Sequence, residues 1–352
     1  MARNTGKKVR RRGRRRKRGF ATWSIGKKIG AVLGGTLLGV VVIGSVILAS
    51  KMNKLSSVKL DTDKLNISDE VKHEKGYTNV ALFGLDSREN DLGKGNRSDT
   101  IIIASLNNDT KEVKLVSIYR DTLLELDDGS YNKANSAYSF GGPEGAVSLI
   151  NRNLDMNIEK YVTVNFNALV DVIDAVGGLD LELTHDEVVH MNNYCVETSK
   201  VTGKKYKKIE PAVAGTYKLN GVQAVSYARI RYTAGGDYKR TERQRLVLKK
   251  TADKLKQQDL ATLNKIIDKV MPEVSTSFTT KEILSLATGA FDYELGETTG
   301  FPFDLETPEQ IPGYSGSYVI PKGLEENVIK LHQFLYPNKD YTPTATVTDI
   351  SN

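Results

Sequence analysis

The densest chemistry in this sequence lies at residues 226–245, S-Y-A-R-I-R-Y-T-A-G-G-D-Y-K-R-T-E-R-Q-R. Arg229, Arg231, Arg240, Arg243 and Arg245, with Lys239, stand against only Asp237 and Glu242. The arginines fall into two groups about Gly235-Gly236, a break that lets the backbone fold one group back toward the other. A guanidinium is always charged and offers a planar fork of donors that matches phosphate oxygens two at a time. Two such groups converging on one pocket would suit a pyrophosphate. The plain alternative is a solvated basic helix face.

Three more acid–base clusters sit where strands end: L-F-G-L-D-S-R at 82–88, R-S-D-T at 97–100 and S-I-Y-R-D-T at 117–122. Asp86 and Asp99 flank a glycine-bearing loop, residues 91–96, so both carboxylates can reach one point. Magnesium characteristically takes one or two protein carboxylates along with phosphate oxygens and water. The competing reading pairs these aspartates with Arg88 and Arg97 as structural salt bridges. Asp121 reads as a loop cap. The four histidines (His73, His185, His190, His332) form no zinc signature, and the lone Cys195 excludes an internal disulfide framework.

The elements that position these clusters follow from periodicity. Residues 77–84, 100–106 and 113–119 read as strands, the last two joined as an antiparallel hairpin through Asn107-Asn108-Asp109-Thr110. Residues 143–154 read as a helix with Pro143 in its first turn, 160–165 as a strand, and Leu169, Val172, Ile173 and Val176 as a helix stripe closed by Gly177. Residues 179–183 return as a strand. This alternation implies a sheet covered by helices. Residues 191–215 read as a polar exposed loop or ribbon. Asn220 with Gln223 caps a helix that delivers Arg229 and Arg231, and a longer helix starts at Asp237. Later stripes predict further helices, one capped by Thr279 with Glu282 and one lined by Leu324, Val328, Leu331 and Leu335.

The formal charge of +7 is uneven. Residues 1–28 hold thirteen Lys and Arg and no acid, leaving 37 basic against 43 acidic residues elsewhere. Residues 29–50 then run uncharged for 22 residues, long enough to span a bilayer as a helix. A cleaved signal peptide would have a shorter apolar region, so the expectation is an uncleaved anchor with the basic tail in the cytoplasm. The basic tail could be a nucleic-acid arm, but it lacks a reading motif and serves topology and anionic headgroups more simply. The expected division is a basic tail 1–28, a transmembrane helix 29–50, a linker 51–75, an external catalytic domain 76–340 and a disordered tail 341–352.

Together the clusters resemble the LytR–CpsA–Psr family of membrane-anchored cell-envelope proteins. The matching motifs are L-F-G-L-D-S-R, R-S-D-T-I-I-I-A-S-L, S-I-Y-R-D-T, N-K-A-N-S-A-Y-S-F-G-G-P-E at 132–144, V-D-V-I-D-A-V-G-G-L-D-L at 170–181, and Y-A-R-I-R-Y with D-Y-K-R-T-E-R-Q. The resemblance implies an α/β/α fold with a central mixed sheet behind a single transmembrane helix. It implies transfer of a glycopolymer from an undecaprenyl-pyrophosphate carrier onto peptidoglycan at the outer membrane face, assisted by Mg2+. By motif, Asp86 and Asp99 look like the metal carboxylates. Arg97, Arg120, Arg229, Arg231 and Arg240 look like the pyrophosphate clamp, with Gln244 beside it, and Arg120, Arg229, Arg231 and Asp99 as the catalytic set. Whether Arg240 or Arg243 completes the clamp stays open at this point. The expected partners are the lipid-linked polymer, peptidoglycan and the membrane, with no specific nucleic acid. The other function classes are a membrane-bound transcriptional attenuator and a non-catalytic binder of lipid-linked polymer.

Overall fold

The computed structural model describes residues 56–71, 75–85, 91–289, 292–337 and 339–351. These lie in one unit, Ile47–Asn352. The expected basic tail and spanning helix, and Asp86, fall outside the described residues. Among the described residues no helix is long and apolar enough to cross a membrane.

In chain order come β1 (Ser56–Ser57), β2 (Tyr77–Leu85), β3 (Ser98–Asn107) and β4 (Glu112–Ile118). A small ribbon, β5 (Leu123–Glu125) with β6 (Tyr131–Lys133), leads into α1 (Ala134–Leu154). Then follow β7 (Lys160–Asn165), α2 (Phe166–Ala175), β8 (Leu179–Leu183), α3 (His185–Thr202), β9 (Gly215–Leu219), α4 (Gly221–Arg229) and α5 (Gly236–Leu255). The chain continues through α6 (Leu260–Val270), β10 (Val274–Thr276), α7 (Thr280–Gly289), β11 (Glu294–Phe301), α8 (Leu324–Leu335) and α9 (Ala345–Ser351).

Seven strands form one mixed sheet in the order β1-β10-β7-β2-β3-β4-β11. The predicted β3–β4 hairpin is present, and Asn107 Oδ1 accepts from the amides of Asp109 and Thr110 at 3.0 Å each in its turn. β3 is apolar on both faces because both are covered. Ile101 and Ile103 point into a core shared with α1, α8 and α9, whereas Ile102 and Ala104 point toward Leu248 of α5. A further core lies among α2, α3, α4 and the separate β8–β9 ribbon. The strand at 179–183 therefore exists but belongs to that ribbon. Gly221 opens α4 where any Cβ would meet the Val170 carbonyl at 2.3 Å, so only glycine allows α4 to sit so close to α2.

Four expectations change. Residues 191–202 are helical, the C-terminal part of α3, which starts from a Thr184–Glu187 capping box and buries Val188, Met191 and Cys195 along one side. α1 begins before Pro143: its first segment runs from Ala134 to a break at Gly142, where φ is 66° and ψ −154°. Residues 56–71 of the expected linker dock instead, with β1 pairing to β10 and Leu60 and Leu65 buried in the main core. The expected disordered tail contains α9, with Val347 fully buried and the Thr344 hydroxyl bonded to Asp155 at 2.7 Å. Leu65→Ala should cost about 2–5 kcal/mol of unfolding free energy. A urea midpoint equal to that of the wild type would show that this segment does not pack in solution.

Candidate active site

Antiparallel pairing brings the start of β3 beside the end of β4, with Ile102 opposite Ser117. Asp99, the second residue of β3, therefore meets Arg120, just past β4, and Arg120 Nη1 donates to Asp99 Oδ1 at 2.5 Å. The second approach comes from the arginine stretch. α4 ends at Arg229, and Gly235 and Gly236 take φ of +89° and +49°, turning the chain into α5 as their sequence predicted.

That reversal sets two arginines on one carboxylate. Asp237 Oδ1 lies 3.4 Å from Arg231 Nε and 3.0 Å from Arg240 Nη2. Asp121 ties the two approaches together: its Oδ2 is 3.3 Å from Arg231 Nη2 and 3.5 Å from Arg120 Nε, and its Oδ1 is 3.0 Å from Lys133 Nζ. Four cations from separate segments thus surround three carboxylates, which leaves one positive charge in excess among them.

Burial sharpens this charge. Arg240 has only 3% of its side chain exposed, and its Nε finds no acceptor. Burial first, and then the guanidinium groups of Arg120 and Arg231, push its pKa down against the pull of Asp237 and Asp99. Burial would lower Arg120 as well, but Asp99 and Asp121 outweigh it and hold its proton more firmly. Burial would raise the Asp121 carboxyl, yet Arg120, Lys133 and Arg231 together hold it below its ordinary 3.8. A depressed folded-state pKa stabilises the fold above the unfolded value, and that stability is lost as pH falls through the lower one. Asp121→Asn should therefore melt well below the wild type at neutral pH, with the gap closing as pH falls below 3.8 and through the depressed folded-state value. A gap of constant size across that range would contradict the pairing.

Arg240, and not Arg243, completes the cluster. Arg243 is turned the other way, donating to Glu187 Oε1 at 2.9 Å, the Ile230 carbonyl at 3.2 Å and Thr233 Oγ1 at 2.7 Å. Gln244 lies one turn beyond Arg240 on the same helix face and is half-buried. Arg229 bonds Glu197 at 2.9 Å and Thr198 at 3.0 Å, with Phe166 4.7 Å from its guanidinium carbon. Arg97 is exposed and, among the described residues, no hydrogen bond or ion pair joins it to the cluster. A cavity of about 520 Å³, lined in part by Leu60, Leu92, Lys94, Pro143 and Pro272, borders the loop leading to Arg97, but no arginine among the described residues lines it. Lys133, Asp121 and Asp237 are the participants that sequence reasoning missed or undervalued. The signals available were Asp121 beside Arg120 and Asp237 three residues before Arg240.

Among the described residues no three His, Cys, Asp or Glu side chains gather as a metal site. Of the two expected metal carboxylates Asp99 is among the described residues: one oxygen takes Arg120, and 27% of its side chain is exposed.

A model of the LytR_cpsA_psr family matches residues 42–295. The chain is 30% identical to the polyisoprenyl-teichoic acid--peptidoglycan teichoic acid transferase TagV of Bacillus subtilis (strain 168), over 81% of this chain and 71% of that protein. It is 29% identical to TagU, of the same transferase name, from Enterococcus faecalis (strain ATCC 700802 / V583), over 75% of this chain and 84% of that one. The solved structure of the Bacillus subtilis family protein YwtF (TagT) with bound octaprenyl pyrophosphate lipid matches with a TM-score of 0.56 at 22% identity, covering 79% and 99% of the two chains. At that identity the likeness concerns the fold, a mixed sheet between helical layers. With the motif order, the sheet and the matched span in agreement, this chain belongs to the LytR_cpsA_psr family.

Proposed function

We propose that the chain transfers a glycopolymer, by its sugar-1-phosphate end, from an undecaprenyl-pyrophosphate carrier to a peptidoglycan hydroxyl. The observation that carries this reading is the convergence of Arg120, Arg231 and Arg240 from separate segments, with positive charge in excess. The transferase names of the relatives support the reaction class. In the step, the acceptor oxygen attacks the sugar-bearing phosphorus and the P–O–P bridge breaks. A phosphodiester forms, polyprenyl phosphate leaves, and the acceptor proton passes to water.

Such transfers ask the protein mainly for positioning and for stabilisation of charge on the non-bridging and leaving oxygens. Arg120 and Arg231, with side chains 18% and 34% exposed, are placed to reach those oxygens, while buried Arg240 holds Asp237 beside them. Asp121, enclosed by three cations, is a poor base and serves to orient Arg120, Arg231 and Lys133. Asp99, with Asp86 from outside the described residues, would hold magnesium. When bound, that ion supplies further neutralisation of diphosphate charge.

The membrane-anchored, outward-facing placement belongs to the same proposal, and a reporter fused after Asn352 should be active only outside the cell. The decisive assay uses the full chain purified in detergent with labelled lipid-linked polymer and peptidoglycan. Label should become phosphodiester-linked to the glycan strands. Tight binding of the lipid without transfer would instead favour the non-catalytic binder.

A further inference from the structure

An aromatic layer borders the arginine cluster without holding it together. His190, Tyr194 and Glu197 lie four and three residues apart on α3 and so share one helix face. Tyr232, the residue after Arg231, lies against that face. Its ring centroid is 6.5 Å from that of Tyr194 with the planes 22° apart, and 6.2 Å from His190 at 37°. Underneath, the Arg229 guanidinium carbon is 4.7 Å from the Phe166 ring centre and 5.6 Å from that of Tyr194. Phe166, Arg229, Tyr194 and Tyr232 are therefore successive neighbours, with the Tyr194 and Tyr232 rings near-parallel. The outermost, Tyr232, is 74% exposed.

A single exposed tyrosine is ordinary. What distinguishes this one is a rigid backing and a position one residue from Arg231. A polyprenyl tail needs a concave apolar site, which a convex ring does not provide. A pyranose fits it better, because its axial C–H groups carry slight positive charge onto the negative ring face while its hydroxyls stay in water. On the proposed function, on which this step rests, the group joined to the diphosphate opposite the lipid is a sugar. We infer that Tyr232, backed by Tyr194, is the subsite for the sugar residue attached to the diphosphate in the arginine cluster. Arg229 then serves as a positioning residue that fixes Tyr194 through Glu197 and Thr198.

The test compares two ligands on the full chain in detergent: farnesyl diphosphate, and farnesyl diphosphate carrying one N-acetylhexosamine. The wild type should bind the sugar-bearing lipid more tightly. Tyr232→Ala should lose roughly 5-fold or more of that preference, with affinity for the bare diphosphate and melting temperature unchanged. Tyr232→Phe should retain the preference, since the ring face is kept. An unaltered preference in Tyr232→Ala, or an equal loss for both ligands, overturns the sugar subsite alone. A wild-type chain that binds neither ligand overturns the diphosphate reading, and the subsite with it.

Discussion

Arg120→Ala is expected to reduce polymer attachment by about 10²–10³-fold, the range seen when one preorganised donor to a developing charge is removed. The size follows from position. Arg120 touches both Asp99 and Asp121, so its loss removes a phosphate donor and also releases Asp99, whose charge would repel the diphosphate, while Asp121 keeps Lys133 and Arg231. Arg120→Lys should recover only part of the activity, because an ammonium keeps the charge but not the planar fork. The fold should survive, since the side chain lies at a strand end and not in the apolar core. Full attachment in Arg120→Ala, measured as wall-linked polymer phosphate, would count against the reaction proposed.

Asp237→Ala should be the most damaging change to stability within the site, costing about 3–5 kcal/mol by leaving a buried cation unpaired. Arg240 is almost wholly buried, and Asp237 is its ion-pair partner. The same carboxylate steadies Arg231, so transfer should fall with stability. Replacing the pair together, Asp237→Ala with Arg240→Met, removes the stranded charge. It should restore much of the melting temperature without restoring transfer. Recovery of both properties would mean that the pair is purely structural.

The sequence was most informative where backbone chemistry is local. Gly235-Gly236 announced a reversal, and their left-handed φ values deliver it. Asn220 with Gln223 announced a capping box, and both of its bonds are present at 3.0 Å. The choice between Arg240 and Arg243 was not legible, because residues three apart on one helix diverge only once their tertiary partners are known. Glu187, 56 positions away, captures Arg243. Asp121 read as a loop cap because nothing in its neighbourhood shows that Arg231, 110 residues later, returns to it. Residues 191–202 of α3 read as a loop because polar Asn192 and Thr198 interrupt a stripe whose apolar members, Val188, Met191 and Cys195, are few. The docked segment 56–71 brings Leu60, Leu65 and, at its margin, Ile67 to the core, at spacings of five and two that make no period.

The most direct measurement is a crystal structure of the full chain with a polyprenyl diphosphate bound. The expected result is diphosphate oxygens within hydrogen-bonding distance of Arg120 and Arg231, with Arg240 and Asp237 behind them. A diphosphate seated elsewhere, with those arginines still closed on Asp99, Asp121 and Asp237, would contradict the assignment.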